Sequence, residues 1–214
     1  MRELLVINPN TSVSVTALLQ GHVQAEVGPQ VHVRAVTARF GAAYIADEES
    51  YAVAADATLD AWSAALACRP CDAVLIGCFG DPGLLALRGR SAVPVSGLAE
   101  AAFIEAAQHG RFAIITGGEK WAPILRRLAQ SLGHAPLLTG VHTVSPTGAE
   151  LAADPAAARA LLAQACRDAV AQGAQAVIVG GAGLAGMAAQ LQPSFEVPLI
   201  DSVLAGARWA AGVA

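Results

Sequence analysis

The chain has 214 residues, 55% hydrophobic and 14% charged, with a mean hydropathy of +0.50; that is enough apolar surface for a sizeable core, and it excludes a mainly disordered protein. A net charge of −4 and a pI near 5.7 leave no electrostatic footprint for nucleic acid or an anionic membrane. The most apolar stretch, Ala176 to Ala189, is rich in Gly and Ala and falls short of the roughly 20 residues a membrane span needs.

The first residues, Met1 to Pro9, read as a strand running into a polar turn, with no signal peptide. Further strands are expected near Val31 to Val36, Ala73 to Gly77, Arg111 to Thr116, Leu137 to Val144, Ala176 to Gly180 and Val197 to Ile200, after the opening one at Leu4 to Ile7. Helices are expected over Val13 to Val27 behind the caps Asn10, Thr11 and Ser12, and from the acidic start Asp47-Glu48-Glu49. Two more are expected over Phe103 to His109 before Gly110, and from Asp154-Pro155 to Gln172 before Gly173. Short Val- and Ile-rich runs alternating with Ala-rich helical stretches make an α/β protein with parallel sheets.

An internal repeat divides the chain. Asp72 to Gly83 (DAVLIGCFGDPG) lies over Gln175 to Gly186 (QAVIVGGAGLAG) without a gap, so that Cys78 falls on Gly181. Downstream, Val93-Pro94-Val95 matches Val197-Pro198-Leu199 with one residue of drift, and Leu4 to Ile7 corresponds loosely to Phe112 to Ile115. We therefore expect two similar Rossmann-like lobes related by pseudo-twofold symmetry, residues 1–95 with 200–214 forming one and 96–199 the other. Ligands of such sheets bind beyond the carboxyl ends of strands, so the site is expected between the lobes. Four loops converge there: Asn8 to Ser12, Cys78 to Gly83, Thr116 to Lys120 and Gly181 to Gly186.

Cys78 ends an apolar strand and precedes a Gly-rich turn, where loop amides and a following helix would favour a thiolate able to act as an acid or base. The competing reading is a small buried hydrophobe. Asn8, Asn10, Thr11 and Ser12 suit a carboxylate or a developing oxyanion, capping being the bland alternative; Thr116 and the Gly117-Gly118 pair offer the same from the other lobe. Asp81 and Glu119 serve as turn or cap residues as readily as catalytic ones. Phe40, Tyr44, Tyr51, Phe79 and Trp121 each fit a pocket wall or a core.

Other motifs carry less. Cys68 and Cys71 form a CxxC with no second half, ending a helix rather than opening one, so packing is the better reading, and Cys166 is most simply core. Four cysteines in a chain this long fit free thiols in a reducing cytoplasm. The five histidines lack ligand spacing, and no metal is expected. Gly181, Gly183 and Gly186 spell G-x-G-x-x-G, but too near the C-terminus to complete a dinucleotide-binding unit.

Taken together, Ile7-Asn8-Pro9-Asn10-Thr11-Ser12, Gly77-Cys78-Phe79-Gly80-Asp81-Pro82-Gly83 and the second-lobe strand with its Gly-rich loop resemble the hydantoin racemases of the aspartate/glutamate racemase superfamily, over nearly the whole chain. The resemblance implies a cofactor-independent isomerase of a small molecule, working at an acidic carbon next to a carbonyl with one cysteine in each lobe. Here the first is Cys78, and Asn8, Asn10, Thr11, Ser12, Phe79, Gly80, Thr116, Gly117, Gly181, Ala182 and Gly183 would surround the substrate. The chain departs from the pattern at Gly181, where the second cysteine would stand. The leading expectation is a racemase of a hydantoin or allantoin-like compound whose far-face proton comes from another group or from solvent. The alternatives are a single-cysteine decarboxylase of malonate-type acids and a binding protein without turnover. Family members commonly self-associate, and the resemblance allows a homo-oligomer.

Overall fold

All seven expected strands are strands in the computed structural model, which describes residues 2–212; Met1, Val213 and Ala214 of the expected first lobe lie outside the described residues. The first half runs β1 (Arg2–Asn8), α1 (Val13–Val27), β2 (Val31–Thr37), α2 (Glu48–Cys68), β3 (Ala73–Ile76), α3 (Leu84–Arg88), β4 (Val95–Gly97) and α4 (Leu98–Ala107). The second runs β5 (Phe112–Gly117), α5 (Trp121–Ser131), β6 (Leu138–Val144), α6 (Gly148–Ala153), α7 (Pro155–Ala171), β7 (Ala176–Val179), α8 (Met187–Leu191), β8 (Leu199–Asp201) and α9 (Ser202–Ala211), with short 3-10 turns at Ala135–Leu137, Ala182–Leu184 and Gln192–Ser194.

The strands form two four-stranded parallel sheets of matching order, β2-β1-β3-β4 and β6-β5-β7-β8. The repeat is thus physical: β3 and α3 recur as β7 and α8, and β4 recurs as β8. Strand β4 itself escapes sequence reading because three residues behind Pro94 are too few to show a period; its match to the β8 region was the one signal. Helix α5 also went unread, since Lys120 at its N-cap makes no side-chain capping bond.

Alternate residues of the central strands face different cores. Leu4, Val6, Leu75, Ile114, Ile178 and Ile200 join a core between the sheets with Leu98, Phe103 and Val203. Leu5, Ile7, Val74 and Ile76 turn outward to α2 and α3, and Ala113, Ile115, Val177 and Val179 turn outward to α7 and α8. Burial on both faces is why these strands read as unbroken apolar runs. Helix α4, which follows the first sheet, packs on β7 and β8, while α9, which follows the second, packs on β3 and β4.

The helix starts use the expected caps. Ser12 accepts the Val15 N–H, Asp47 and Ser50 form a reciprocal capping box, and Asp154 accepts the Ala157 N–H. Glu48 and Arg127 pair at 2.6 Å between α2 and α5.

One close approach seals the two lobes. A Cβ on Gly180 would sit 2.1 Å from the ring of Phe79, so the end of β7 needs glycine for Phe79 to lie flat against it. Gly180→Ala is expected to lower stability by about 1–3 kcal/mol through overpacking, whereas Gly21→Ala, on the exposed face of α1 with nothing within 4 Å, should raise it by about 0.5–1 kcal/mol; urea unfolding of the two variants checks both signs.

Candidate active site

A cavity of about 410 Å³ opens between the carboxyl ends of the two sheets. The β1 loop contributes Asn10 and Ser12, with Ser14, Val15 and Leu18 of the helix behind it; the β3 loop contributes Gly77, Cys78 and Phe79. From the other lobe come Thr116, Trp121, Gly148 and Gly180 to Gly183, and the segment before α2 adds Ala43, Tyr44 and Ile45. Eight expected site residues therefore meet at one cavity: Asn10, Ser12, Cys78, Phe79, Thr116, Gly181, Ala182 and Gly183.

Four others do not line it. Asn8 is fully buried beneath the loop, where its Nδ2 lies 2.7 Å from Asn10 Oδ1, 3.0 Å from the Ser12 carbonyl and 3.0 Å from Thr16 Oγ1. Its Oδ1 accepts the Asn10 N–H at 3.2 Å. This amide is the scaffold of the loop. Thr11 uses its backbone N–H to hold the Ala42 carbonyl at 3.1 Å, which ties the loop to the Tyr44 segment. Gly80, at φ 151°, packs under Trp121 and gives its carbonyl to the Tyr51 hydroxyl at 2.8 Å. Gly117 is pressed against the start of α6, where a Cβ would come within 2.7 Å of Leu151 and of the Pro146 carbonyl.

The donors that remain face the cavity. Asn10 spends its Oδ1 on Asn8 and on the Ser12 N–H, at 2.7 and 2.9 Å, which leaves its Nδ2 for a ligand. Among the described residues the backbone N–H groups of Cys78, Phe79, Ala182 and Gly183 have no protein acceptor, so both lobes offer amides to a developing oxyanion. Thr116 instead donates its hydroxyl to the Gly180 carbonyl at 2.7 Å. Tyr44, open between core and pocket in the sequence, reaches across the cleft, its hydroxyl accepting the Gly148 N–H at 2.8 Å, and burial raises its pKa. Tyr44 and Trp121 were legible as aromatics, but no spacing aimed them at this cavity.

The electrostatics of Cys78 run opposite to the sequence expectation. Burial pushes its thiol well above the ordinary range, and the Asp81 carboxylate pushes it further. Loop amides and a helix dipole were to lower it, but α3 begins only at Leu84 and is five residues long, and dipole effects fade within a turn. Glu119 is occupied by the Ser145 hydroxyl at 3.0 Å. Phe40 is exposed; Cys166 is buried in the α7 core, Cys71 is buried and Cys68 exposed. Among the described residues no cluster of three or more His, Cys, Asp or Glu is placed to hold a metal ion, and no helix is long and apolar enough to cross a membrane.

Two parallel α/β lobes enclosing a cleft with a cysteine on its floor define a class of racemase-fold proteins. The sequence matches the Asp/Glu/Hydantoin racemase family over residues 4–210, and the chain belongs to that family. It is 32% identical over 207 residues to the hydantoin racemase of Paenarthrobacter aurescens, covering 96% of this chain and 88% of that one. Its backbone is similar to the allantoin racemase of Klebsiella pneumoniae, with TM-score 0.92, 31% identity and coverage of 100% and 87% of the two chains. An arylmalonate decarboxylase, 19% identical with TM-score 0.68 and coverage of 100% and 94%, shares the fold.

Asn8 and Thr11 separate scaffold from surroundings. Asn8→Ala leaves several buried partners unpaired and is expected to cost about 2–4 kcal/mol, while Thr11→Ala keeps the backbone N–H and should stay within about 0.5 kcal/mol, as read by chemical denaturation.

Proposed function

We propose that this protein is a cofactor-independent racemase of an uncharged, hydantoin- or allantoin-like ring, with Cys78 as the thiol that exchanges the proton on one face. The observation that carries the substrate class is the lining of the cavity. Among the described residues that form it, none is Lys or Arg, and the ionisable side chains are Cys78 and Tyr44. A free amino acid or a malonate would bring a full negative charge to walls that offer only neutral donors, whereas a neutral ring brings carbonyls that match them. The hydantoin and allantoin racemases among the relatives support the same reading.

The chemistry follows from carbon acidity. Removal of a proton next to a carbonyl makes an enolate, whose charge gathers on oxygen, so the catalyst needs a base at carbon and N–H donors at oxygen. Asn10 Nδ2 and the amides of Ala182 and Gly183 are suited to the second task, Cys78 to the first. Its raised pKa makes the resting group a thiol and its thiolate a stronger base than in water, closer in strength to the carbanion it creates. No metal or organic cofactor enters this scheme.

The far face lacks a thiol. At Gly181 the backbone stands at φ 140°, and a Cβ would find ordinary contacts, 3.6 Å from the Leu184 side chain and 3.9 Å from Thr116 Oγ1. Room exists, but an L side chain there would be strained. In this proposal the second proton comes from a group other than cysteine, and inversion is the slower event. The bare far face also favours a second reading, one-sided protonation after loss of CO2 from a malonate-type acid, which needs a single acid.

Racemisation of enantiopure allantoin and of a 5-alkylhydantoin, followed by chiral chromatography against an enzyme-free control, tests the proposal. Cys78→Ala is expected to reduce the rate by at least about 10²–10⁴-fold, the usual contribution of a positioned acid or base, and the native rate should be higher in alkaline than in acidic solution as thiolate becomes available. A Cys78→Ala variant as fast as the native protein would overturn the proposal, and native turnover of an arylmalonate with none of either ring would favour the second reading.

A further inference from the structure

Both lobes bury one carboxylate beside the fourth loop position, and they deliver it from opposite directions. In the first lobe it belongs to Asp81, whose Oδ1 accepts the Ala99 N–H at 2.9 Å and whose Oδ2 accepts the Glu100 N–H at 2.8 Å, at the start of α4. In the second lobe the repeat puts Leu184 at the place of Asp81, and Asp201 at the place of Gly97. Asp201 then accepts the Val203 and Leu204 N–H groups at 2.9 and 3.2 Å and reaches back to the Gly186 N–H at 2.6 Å. The first lobe has space for one such group: a Cβ on Gly97 would lie 2.0 Å from the Asp81 carboxyl carbon.

The exchange matters because the first-lobe carboxylate sits in the same turn as Cys78. The Asp81 N–H donates to the Cys78 carbonyl at 3.0 Å, and Asp81 is the one non-glycine residue at positive φ, 52°, among the described residues. Such a backbone persists only where surrounding bonds hold it, and the two bonds to α4 do so. We propose that Asp81 is a positioning residue for Cys78: its carboxylate clamps the cysteine-bearing turn to the N-terminus of α4 and so fixes a buried charge in the turn that carries the sulfur.

Arg88 of α3 feels the Asp81 charge but is already paired with Glu100. Glu100 of α4 is like-charged and is itself held by Arg88 of α3 at 2.7 Å. Tyr51 of α2 is kept a phenol by burial and by Asp81, and Arg127 of α5, across a cavity of about 220 Å³, is paired with Glu48. Burial pushes Asp81 up to about 7 against the lowering by the amides of Ala99, Glu100 and Gly80, so its charge appears across neutral pH.

The inference rests on Cys78 being the acid–base group, and its test needs no turnover. Alkylation of Cys78 by iodoacetamide, resolved by peptide mass spectrometry, is followed from about pH 5 to 10. For two coupled acids the logarithm of the rate should rise one-for-one with pH, flatten around pH 7 as Asp81 ionises, and then rise again. Asp81→Asn should give a straight line, with alkylation at pH 10 about tenfold faster, one unit of thiol pKa. A straight native profile, or an Asp81→Asn profile that keeps the plateau, overturns the proposal. Should Asp81→Asn not fold, the native profile decides alone. A racemase whose rate survives Cys78→Ala would refute the role of the cysteine while leaving the plateau in place.

Discussion

The end of a parallel sheet is a problem of unpaired peptide groups, and this protein builds its site from the solution. Between the central strands of each sheet, β1 with β3 and β5 with β7, the ladder closes with one last bond, from Gly77 to Ile7 and from Gly180 to Ile115, at 2.7 and 2.9 Å, and then those strands part. The chain past that point stays buried, so its amides and carbonyls must find side chains or pay a desolvation penalty. Asn8, Thr116, Asp81 and Asp201 meet that demand, all of them buried. Rigid loops follow from satisfied loops. The N–H groups of Cys78, Phe79, Ala182 and Gly183 are left without a protein acceptor in residues that line the cavity, so donors and thiol converge on one place without Lys or Arg among the walls.

Against this shared frame the two lobes differ at a handful of points, each with a chemical consequence. Cys78 answers to Gly181, which under the proposed function gives proton transfer a thiol on one face only. Phe79 answers to Ala182, and only the first-lobe residue crosses to press on the other sheet, at Gly180. The carboxylate of Asp81 rides on the cysteine's own turn, while that of Asp201 rides on a strand end. The repeat therefore supplies an enclosure that is nearly symmetric and a chemistry that is not.

Much of this was legible in residues. Unbroken Val and Ile runs marked strands buried on both faces, and the correspondence of DAVLIGCFGDPG with QAVIVGGAGLAG placed the loops opposite one another. What stayed hidden depended on distance in space. Strand β4 is three residues long and takes its place from its neighbour β3 rather than from a pattern of its own. Asn8 and Asn10 look equivalent in sequence, yet one points beneath the loop and the other into the cleft, because only one amide fits between Ser12 and Thr16. The rise in the Cys78 pKa was invisible for the same reason: a Gly-rich turn suggests amide donors, whereas the pKa is set by burial and by the Asp81 carboxylate.

The central claim is that proton exchange here is one-handed, and the course of deuterium reports on it directly. Each enantiomer of a 5-alkylhydantoin is incubated separately with the protein in D2O, and 1H NMR of the ring C–H is recorded beside optical rotation, corrected for the uncatalysed rate. The account predicts that one enantiomer loses its C–H signal faster than its rotation, because Cys78 removes a proton and returns a deuteron on the same face. Equal behaviour of the two enantiomers, with each exchange accompanied by inversion and the remaining substrate undeuterated, would mean two matched bases and would contradict it.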